Sequence, residues 1–413
     1  MGAIATDDGL ALSCAADRGL PETMARLVLS SAGTWGDFLP FIALGRRLQA
    51  RGHDVRLAGN PAMLPAVVSA GLRAIPCGKP YGQVEAQAEA AFFEEWDPHS
   101  IAGLRQLWDK MDIEGNYHDL LRACQDADLL IGSWLQEAAS LVHERLGLPW
   151  VTVVLQAAPI EETQPGPQWQ DFLDELRARL GLPAVAQGLD WSRELILLAS
   201  SRHFSEPHFT SFPQARTTGF WFGDGIATGW QPDPTLAGFL EAGPAPLLLT
   251  FGSILVPRVS EVLNMHLQAS RLVNRRLLIQ RGWADLRSGA LDVPIDSDAY
   301  LFIDNAPHSW LFPRVAAVIH HGGIGTLAQA LRCGCPVLVE PYAYDQFFNA
   351  RRVLALQVGA AVYAHRLTAD RLAQSLEQRV LTPKTREQAR RLAARLQEED
   401  GLATACELIE QQL

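Results

Sequence analysis

The sequence predicts an α/β protein with two domains, each built on a parallel sheet that is doubly wound with helices. An apolar strand, a glycine turn, a helix and a second strand follow one another near the start, within residues 25–58. The same order recurs within residues 315–339. A strand–helix–strand unit of this length joins parallel strands. A segment rich in glycine and proline, residues 219–246, separates the two patterns and is typical of an interdomain linker.

The composition describes a folded protein without a nucleic-acid surface. The chain has 413 residues, of which 48% are hydrophobic and 20% charged, and this length exceeds what one ordinary core can bury. The formal net charge is −11, and the sequence has no run rich in lysine or arginine, which argues against a nucleic-acid partner. Anionic ligands must then be bound by local devices such as helix N-termini.

The predicted domain boundaries follow these patterns. Residues 1–23, which carry acidic residues and no basic segment of a signal peptide, are expected to be a disordered leader. Residues 24–218 form the first domain, 219–243 the linker and 244–413 the second domain, whose last helix could pack back on the first domain. The six cysteines form no CxxC pair, and no apolar run reaches the roughly 18 residues that span a bilayer. We therefore expect free thiols and a cytoplasmic location.

The first domain opens with a strand over residues 25–31, followed by the turn Gly33-Thr-Trp-Gly-Asp37 and a helix from Phe38 to Ala50. Asp37 lies at the carboxyl end of a strand, where open α/β sheets bind their ligands. Residues 80–120 and 160–215 are rich in aromatic side chains. Such excursions cover a binding cleft in many α/β proteins, and a small packed helical cap is an equal alternative for residues 80–120.

The second domain carries the turn His320-His-Gly-Gly-Ile-Gly-Thr326 between a buried strand and a helix. The free amide groups of a first helical turn and the positive end of the helix dipole make such a turn an anion site, best matched to a phosphate. A tight turn without a ligand is the alternative for the glycines alone. Gly252-Ser253 forms a smaller turn of the same kind. The stronger anion site thus lies in the second domain, and the free carboxylate and aromatic loops lie in the first. This suggests that the second domain binds a phosphorylated donor and the first an apolar acceptor.

At two places the chain resembles the family 1 glycosyltransferases of the GT-B fold, in which two Rossmann-like domains face a central cleft. The first is Gly33-Thr-Trp-Gly-Asp-Phe-Leu-Pro-Phe-Ile-Ala-Leu-Gly45 with Arg51-Gly-His-Asp-Val55. The second runs from Pro307-His-Ser-Trp-Leu-Phe-Pro313 through the histidine–glycine turn to Asp345-Gln-Phe-Phe-Asn349. The likeness covers almost all of residues 24–410. It is closest to the bacterial and fungal branch that acts on sterols, macrolides, glycopeptides, flavonoids and lipids.

The resemblance implies a role for each matching residue on the donor side. The diphosphate would be held by the turn, Ser253 and Asn349, and the sugar hydroxyls would be held by Asp345 and Gln346. The nucleotide base would be held by Trp283 and the segment around His308. Two alternatives stand beside these roles, since Asp345 could merely cap a helix and Trp283 could belong to the core. The complete set of donor-binding residues is Ser253, Trp283, His308, His320, Gly322, Gly323, Gly325, Thr326, Asp345, Gln346 and Asn349.

On the acceptor side the resemblance points to Asp37 as the catalytic base. Many relatives place a histidine three residues before the proline of this loop, and here that position is Asp37, before Pro40. A second branch, with a Gly-x-x-Gly-Asp loop like this one, uses the aspartate. A carboxylate of ordinary pKa, about 4, is ionised at neutral pH and accepts a proton as displacement proceeds. The alternative is that Asp37 only caps the helix that follows.

The implied reaction is an inverting transfer of a sugar, with glucose from UDP-glucose as the expected donor and no cofactor. The glutamate by which plant relatives hold the ribose is replaced by Ala328, so UDP and dTDP donors both remain open. A rhamnosyl or other deoxysugar transferase is one alternative. A non-catalytic auxiliary protein and a nucleotide-sugar epimerase are two more.

The expected acceptor is a hydrophobic compound with a hydroxyl group, such as a sterol, flavonoid, macrolide or lipid. A lipid acceptor would bring the protein into peripheral contact with a membrane. Asp126-Ala-Asp128 and Asp296-Ser-Asp298 match a metal-binding D-x-D pattern. Since two carboxylates at that spacing are common by chance, we expect no metal.

Overall fold

The structure is a computed structural model that describes residues 24–89, 101–158, 167–184, 191–205, 212–223, 230–284, 286 and 298–413. The expected leader, residues 1–23, and several aromatic residues of the two excursions lie outside the described residues. Within the described part, two α/β domains each contain one parallel sheet. This arrangement confirms the predicted fold class.

The sheet of the first domain has seven described strands in the order β3-β2-β1-β4-β5-β6-β7, all parallel. Strands β3, β6 and β7 were not predicted, because β6 and β7 have three residues each and β3 ends in a proline. Such short runs carry too few residues for an alternation pattern. The strands are β1 Arg26–Ser31, β2 Asp54–Gly59, β3 Arg73–Pro76, β4 Leu129–Ser133, β5 Trp150–Val154, β6 Ile196–Leu198 and β7 Ala215–Thr217.

The sheet of the second domain has six described strands in the order β10-β9-β8-β11-β12-β13, again all parallel. Its interior strands β8 and β9 are buried along their whole length, which explains their continuous apolar sequence. The strands are β8 Leu247–Thr250, β9 Leu277–Gln280, β10 Tyr300–Ile303, β11 Ala317–His320, β12 Val337–Val339 and β13 Gly359–Ala361.

Helices cover the faces of both sheets. The segment predicted as a linker contains one of them, α8, whose Leu236 and Phe239 pack into the second domain's core. The helices in the described part of the first domain are α1 Trp35–Ala50, α2 Leu64–Ser69, α3 Gln83–Ala88, α4 Ile101–Met111, α5 Ile113–Ala123, α6 Ala138–Leu146 and α7 Pro167–Leu180. Those that follow are α8 Pro234–Glu241, α9 Val259–Leu272, α10 His308–Leu311, α11 Ile324–Arg332, α12 Gln346–Leu356, α13 Ala369–Ser375, α14 Pro383–Gln397 and α15 Gly401–Glu410.

The last helix, α15, lies against α1 of the first domain. Its Leu402, Ala405 and Ile409 belong to the same buried cluster as Leu44 and Leu48 of α1. Glu410 accepts hydrogen bonds at 2.6 and 2.5 Å from the guanidinium of Arg51. The chain therefore returns to its first domain. Among the described residues no helix is both long and apolar enough to cross a membrane.

The strand order reverses beside β1 in the first sheet, where β2 and β4 flank it, and beside β8 in the second, where β9 and β11 flank it. At such a reversal the loops that follow the two flanking strands run in opposite directions. They leave a crevice between them at the carboxyl ends of the strands. The turn with Asp37 follows β1, and the turn with Ser253 follows β8. The turn after β11 begins at His321. The fold thus brings the predicted site segments to the two crevices.

Candidate active site

A cleft of about 1900 Å³ lies between the two domains. The first domain contributes the loops after β1, β2, β4 and β5, and the second contributes the turns after β8 and β11 and the loop before α12. Of the predicted residues, those that line it are Asp37, Ser253, Trp283, His308, Gly323, Gly325, Thr326, Asp345 and Gln346. His320, Gly322 and Asn349 do not line it.

Asp37 occupies the third position of α1, and its carboxylate faces back to the start of the helix. Thr34 N donates a hydrogen bond of 2.9 Å to Asp37 Oδ2, which closes a capping box around the N-cap residue Thr34. Gly33 has a φ of +106°, and a side chain there would collide with the Asp37 carboxylate. Asp37 therefore does cap the helix, and this bond fixes its carboxylate at the wall of the cleft.

The pKa of Asp37 is not the ordinary value assumed from the sequence. Burial raises the pKa of Asp37 to about 7, although the hydrogen bond from Thr34 N acts to lower it, and the charge of Asp345 raises it further. A general base is most effective when its pKa lies near the working pH. The structure thus provides a stronger base than a carboxylate with a pKa of about 4 would be.

In the second domain, α11 begins at Ile324 with Gly323 as its N-cap. The amide groups of the first turn of an α-helix have no partner within the helix, and the dipole adds positive potential there. Gly325 is exposed, and a side-chain carbon at Gly325 would meet no atom within 4 Å. Gly323, Gly325 and Thr326 line the cleft, so this end of α11 opens onto it. The arrangement suits a phosphate group.

The two histidines of the turn, of which only His320 was predicted to bind the donor, lie in different places. His320 is fully buried, and its Nδ1 accepts a hydrogen bond of 3.1 Å from Gly322 N. His321 lines the cleft instead. Since side chains alternate along β11, His320 falls on the same face as the buried Val318. In the structure His320 therefore lies behind the turn, and His321 lies at the cleft surface, where burial lowers the pKa of His321 to about 4.

Asp345, Gln346 and Asn349 form one hydrogen-bonded group at the start of α12. Asn349 Nδ2 donates to Asp345 Oδ2 and to the carbonyl of Gly322, at 2.9 Å each, so it ties the two donor-side loops together behind the cleft. Gln346 Oε1 accepts from Tyr342 N at 2.8 Å and Ala343 N at 3.0 Å. Asp345 is the N-cap residue but makes no side-chain capping bond. Burial raises its pKa to about 6 against the opposite effect of the bond from Asn349.

Three further residues complete the donor side. Ser253 Oγ donates a hydrogen bond of 3.0 Å to Thr34 Oγ1 of the first domain. Trp283 is 7% exposed and its ring contacts that of Tyr81, edge to face at 6.2 Å, so it is packed in a buried cluster and also borders the cleft. The His308 ring stacks on Phe312 at 4.4 Å, and burial lowers the pKa of His308 to about 4.

Asp126 and Asp128 lie at the amino ends of the strands of the first sheet, opposite the cleft, and Asp296 of the second D-x-D pattern lies outside the described residues. Asp128 directly precedes β4, and its Oδ1 accepts a hydrogen bond of 2.9 Å from Arg26 Nη2. Asp126 accepts bonds of 2.5 and 2.7 Å from the guanidinium of Arg56. Both carboxylates are therefore taken up by arginines. Over the described residues, no group of three or more histidine, cysteine and acidic side chains could hold a metal ion.

Two family models match the chain, one in each domain. The model described as the glycosyltransferase family 28 N-terminal domain matches residues 27–158. The model described as the erythromycin biosynthesis protein CIII-like C-terminal domain matches residues 291–405. These two spans contain the turn with Asp37 and the turn before α11.

Among curated proteins, the chain is 33% identical to O-mycaminosyltylonolide 6-deoxyallosyltransferase of Streptomyces fradiae, over 94% of this chain and 97% of that protein. It is 26% identical to a sterol 3-beta-glucosyltransferase of Arabidopsis thaliana, over 94% of this chain and 68% of that protein. Among solved structures, a glycotransferase of kitacinnamycin superposes with a TM-score of 0.74 at 20% identity, over 94% of this chain and 99% of that one.

Proposed function

The chain belongs to the family 1 glycosyltransferases of the GT-B fold, and on that basis we propose that it transfers a sugar, with inversion, from a nucleoside diphosphate sugar to a hydroxyl group of a macrolide or sterol. The observation that carries the proposal is a carboxylate with a pKa of about 7 facing a helix N-terminus across one cleft. The carboxylate can accept a proton, and the helix N-terminus can hold the leaving diphosphate.

The proposed reaction is a single displacement. Asp37 accepts the proton of the acceptor hydroxyl while the hydroxyl oxygen forms a bond to the anomeric carbon. The bond from that carbon to the diphosphate oxygen breaks at the same time, so the configuration inverts. Negative charge grows on the diphosphate, where the amide groups at the start of α11 and the dipole of the helix stabilise it. The proton ends on Asp37, and the electron pair leaves with the nucleoside diphosphate.

The donor-side geometry leads us to propose different roles for some of the residues that the resemblance implies. We assign the diphosphate to the start of α11, with His321 as a neutral hydrogen-bond donor because burial lowers its pKa to about 4. Asp345 and Gln346 remain our candidates for the sugar hydroxyls, since both line the cleft. His320, Gly322 and Asn349 would act behind these residues by fixing the loops.

For the donor we keep UDP-glucose as the first candidate and a dTDP-deoxysugar as the second. The name of the Arabidopsis relative supports glucose, and the name of the Streptomyces relative supports a 6-deoxyhexose. The same two names support a sterol and a tylonolide-type macrolide as acceptors. The cleft walls carry apolar side chains for either, among them Leu39, Trp134 and Trp191. We place the reaction in the cytoplasm, as the sequence suggested.

Product analysis by mass spectrometry tests the proposal. The purified protein would be incubated with UDP-glucose, dTDP-glucose or dTDP-rhamnose and with a macrolide aglycone or a sterol. We expect at least one pair to give an acceptor heavier by one sugar residue, with the inverted anomeric configuration by NMR. Binding of a nucleotide sugar without transfer to any hydroxyl compound would favour an auxiliary protein. Conversion of the free nucleotide sugar into an isomer would favour an epimerase.

A further inference from the structure

Five amide side chains line the first domain's wall of the cleft, and one of them stands apart from the others. Four donate hydrogen bonds to protein acceptors: Asn60 to the carbonyl of Tyr81, Gln83 to that of Gly282, Asn116 to those of Met111 and Asp112, and Gln136 to the hydroxyl of Ser30. Among the described residues, the amide nitrogen Nε2 of the fifth, Gln156, is buried and has no hydrogen-bond partner.

The position of Gln156 places it on the acceptor side. It follows β5 by two residues, and β5 is separated from β1, whose turn carries Asp37, by β4 alone. The loop after β4 contributes Trp134 and Gln136 to the same wall. The donor-binding turns all belong to the other domain. A molecule that occupied this wall would therefore be the acceptor.

A buried amide N–H without a partner is costly, and native proteins keep few of them. Gln156 is 7% exposed, so water does not freely replace the missing partner. The terminal torsion of a glutamine side chain is soft, and a small rotation would turn the amide towards the cleft that the residue already lines. An oxygen atom on a bound acceptor would then satisfy the donor.

We infer that Gln156 determines acceptor specificity by donating a hydrogen bond from Nε2 to a second oxygen of the acceptor, distinct from the hydroxyl that receives the sugar. This inference rests on the proposed function and narrows its acceptor class. A macrolide aglycone carries ring carbonyl and hydroxyl oxygens besides the glycosylated one. A sterol with a single hydroxyl has no second oxygen, and its rings would leave the amide unpaired. The wall thus selects an oxygenated macrolide-type acceptor over a sterol.

The test compares kcat/KM for a macrolide aglycone and for a sterol with one hydroxyl, in the wild type and in Gln156→Leu. A site whose buried amide needs an acceptor oxygen discriminates against a compound without that oxygen. We therefore expect the wild type to prefer the macrolide. The substitution should lower kcat/KM for the macrolide roughly ten- to a hundredfold, mainly through KM, and leave that for the sterol unchanged or higher.

Two further variants keep the test decisive. Gln156→Glu has nearly the same shape and replaces the hydrogen-bond donor by an acceptor. Its kcat/KM for the macrolide should therefore fall, even if Gln156→Leu folds poorly. Gln136→Leu removes an amide of the same wall whose nitrogen is already bonded to Ser30, and it should change both acceptors by the same factor.

Three outcomes would overturn the inference. An equal loss for both acceptors in Gln156→Leu, or no loss for the macrolide, would show that the amide recognises no acceptor oxygen. A wild type that glycosylates only the sterol would overturn the inference while leaving the proposed function intact. No transfer to either acceptor would overturn the proposed function, and the inference with it.

Discussion

Ser253 Oγ donates a hydrogen bond of 3.0 Å to Thr34 Oγ1 across the cleft. Thr34 is the N-cap residue of α1, and its backbone N–H holds the carboxylate of Asp37. A turn of the second domain thus contacts the cap that positions the candidate base in the first. The distance between the two domains and the orientation of Asp37 are therefore linked through Thr34.

Removing this contact should reduce activity more than stability. Ser253→Ala loses one neutral hydrogen bond, worth about 0.5–1.5 kcal/mol, so we expect kcat/KM to fall roughly two- to tenfold. Steady-state kinetics and thermal unfolding of the same variant measure the two effects. Ser69→Ala, which removes an exposed hydroxyl bonded to the carbonyl of Pro65 outside the cleft, is the matched control. Unchanged kinetics in Ser253→Ala would show that the contact has no part in positioning Asp37.

The raised pKa of Asp37 predicts how the rate depends on pH. The ionised form accepts the proton, so kcat/KM should increase as pH rises towards about 7 and level off above it. The folded pKa is higher than the unfolded value of about 3.9, so ionisation of Asp37 costs stability between these two pH values. Asp37→Asn should therefore flatten the fall in stability from about pH 4 to 7. A rate midpoint near pH 4 would contradict the burial of this carboxylate.

The charge of Asp345 contributes to the raised pKa of Asp37, and its removal should be visible in the same profile. Asp345→Asn keeps the size of the side chain and an oxygen for the bond from Asn349. We expect the variant to be less active, because a candidate contact to the sugar is lost. The midpoint of its remaining rate should move to lower pH than in the wild type. A midpoint that stayed in place would mean that the two carboxylates do not interact.

Substitutions of the two histidines of the donor turn should have different effects on ligand binding and on stability. His321→Ala removes a side chain at the cleft surface, and we expect a roughly ten- to a hundredfold rise in the Kd of a nucleoside diphosphate, measured by calorimetry. His320→Ala removes a buried ring and should lower the free energy of unfolding by about 1–3 kcal/mol. A larger loss of affinity in His320→Ala, at unchanged stability, would instead support the role in binding the diphosphate that the sequence predicts for His320.

Metal removal should leave the reaction unaffected. The carboxylates of Asp128 and Asp126 are bonded to Arg26 and Arg56 at the amino ends of the strands, away from the cleft, and the proposed stabilisation of the diphosphate comes from the start of α11. We expect the same rate of sugar transfer before and after treatment with a chelator. A rate that fell and returned on addition of Mg²⁺ would contradict this.

The elements that the sequence predicted well are those with strong local signals. The strands β1, β8, β9 and β11 are apolar runs buried between helices, and glycine turns end several of them, so their order could be recognised directly. The short strands β6 and β7 could not, since three residues form a strand only through pairing with neighbours distant in sequence.

The sequence predicted the segments that form the cleft, but it predicted the surroundings of individual side chains less well. Two adjacent histidines look equivalent in the sequence, but His320 is the last residue of β11 and is buried with that strand, whereas His321 begins the turn that lines the cleft. The pKa of Asp37 depends on burial and on Asp345, which lies 308 positions later in the chain and in the other domain. The unpaired amide of Gln156 carries no sequence motif, and it can be recognised only from the hydrogen bonds of its neighbours.

The role of Asp37 as the base is best tested by the single-turnover rate of sugar transfer in Asp37→Asn, with donor bound at saturation. An amide oxygen can still accept the bond from Thr34 N, so the cap should persist while the basic group is lost. Asp233→Asn changes a capping aspartate of α8 outside the cleft and serves as the control. We predict a loss of roughly 10²- to 10⁴-fold with unchanged donor affinity. A rate within a few-fold of the wild type would contradict the assignment of Asp37 as the base.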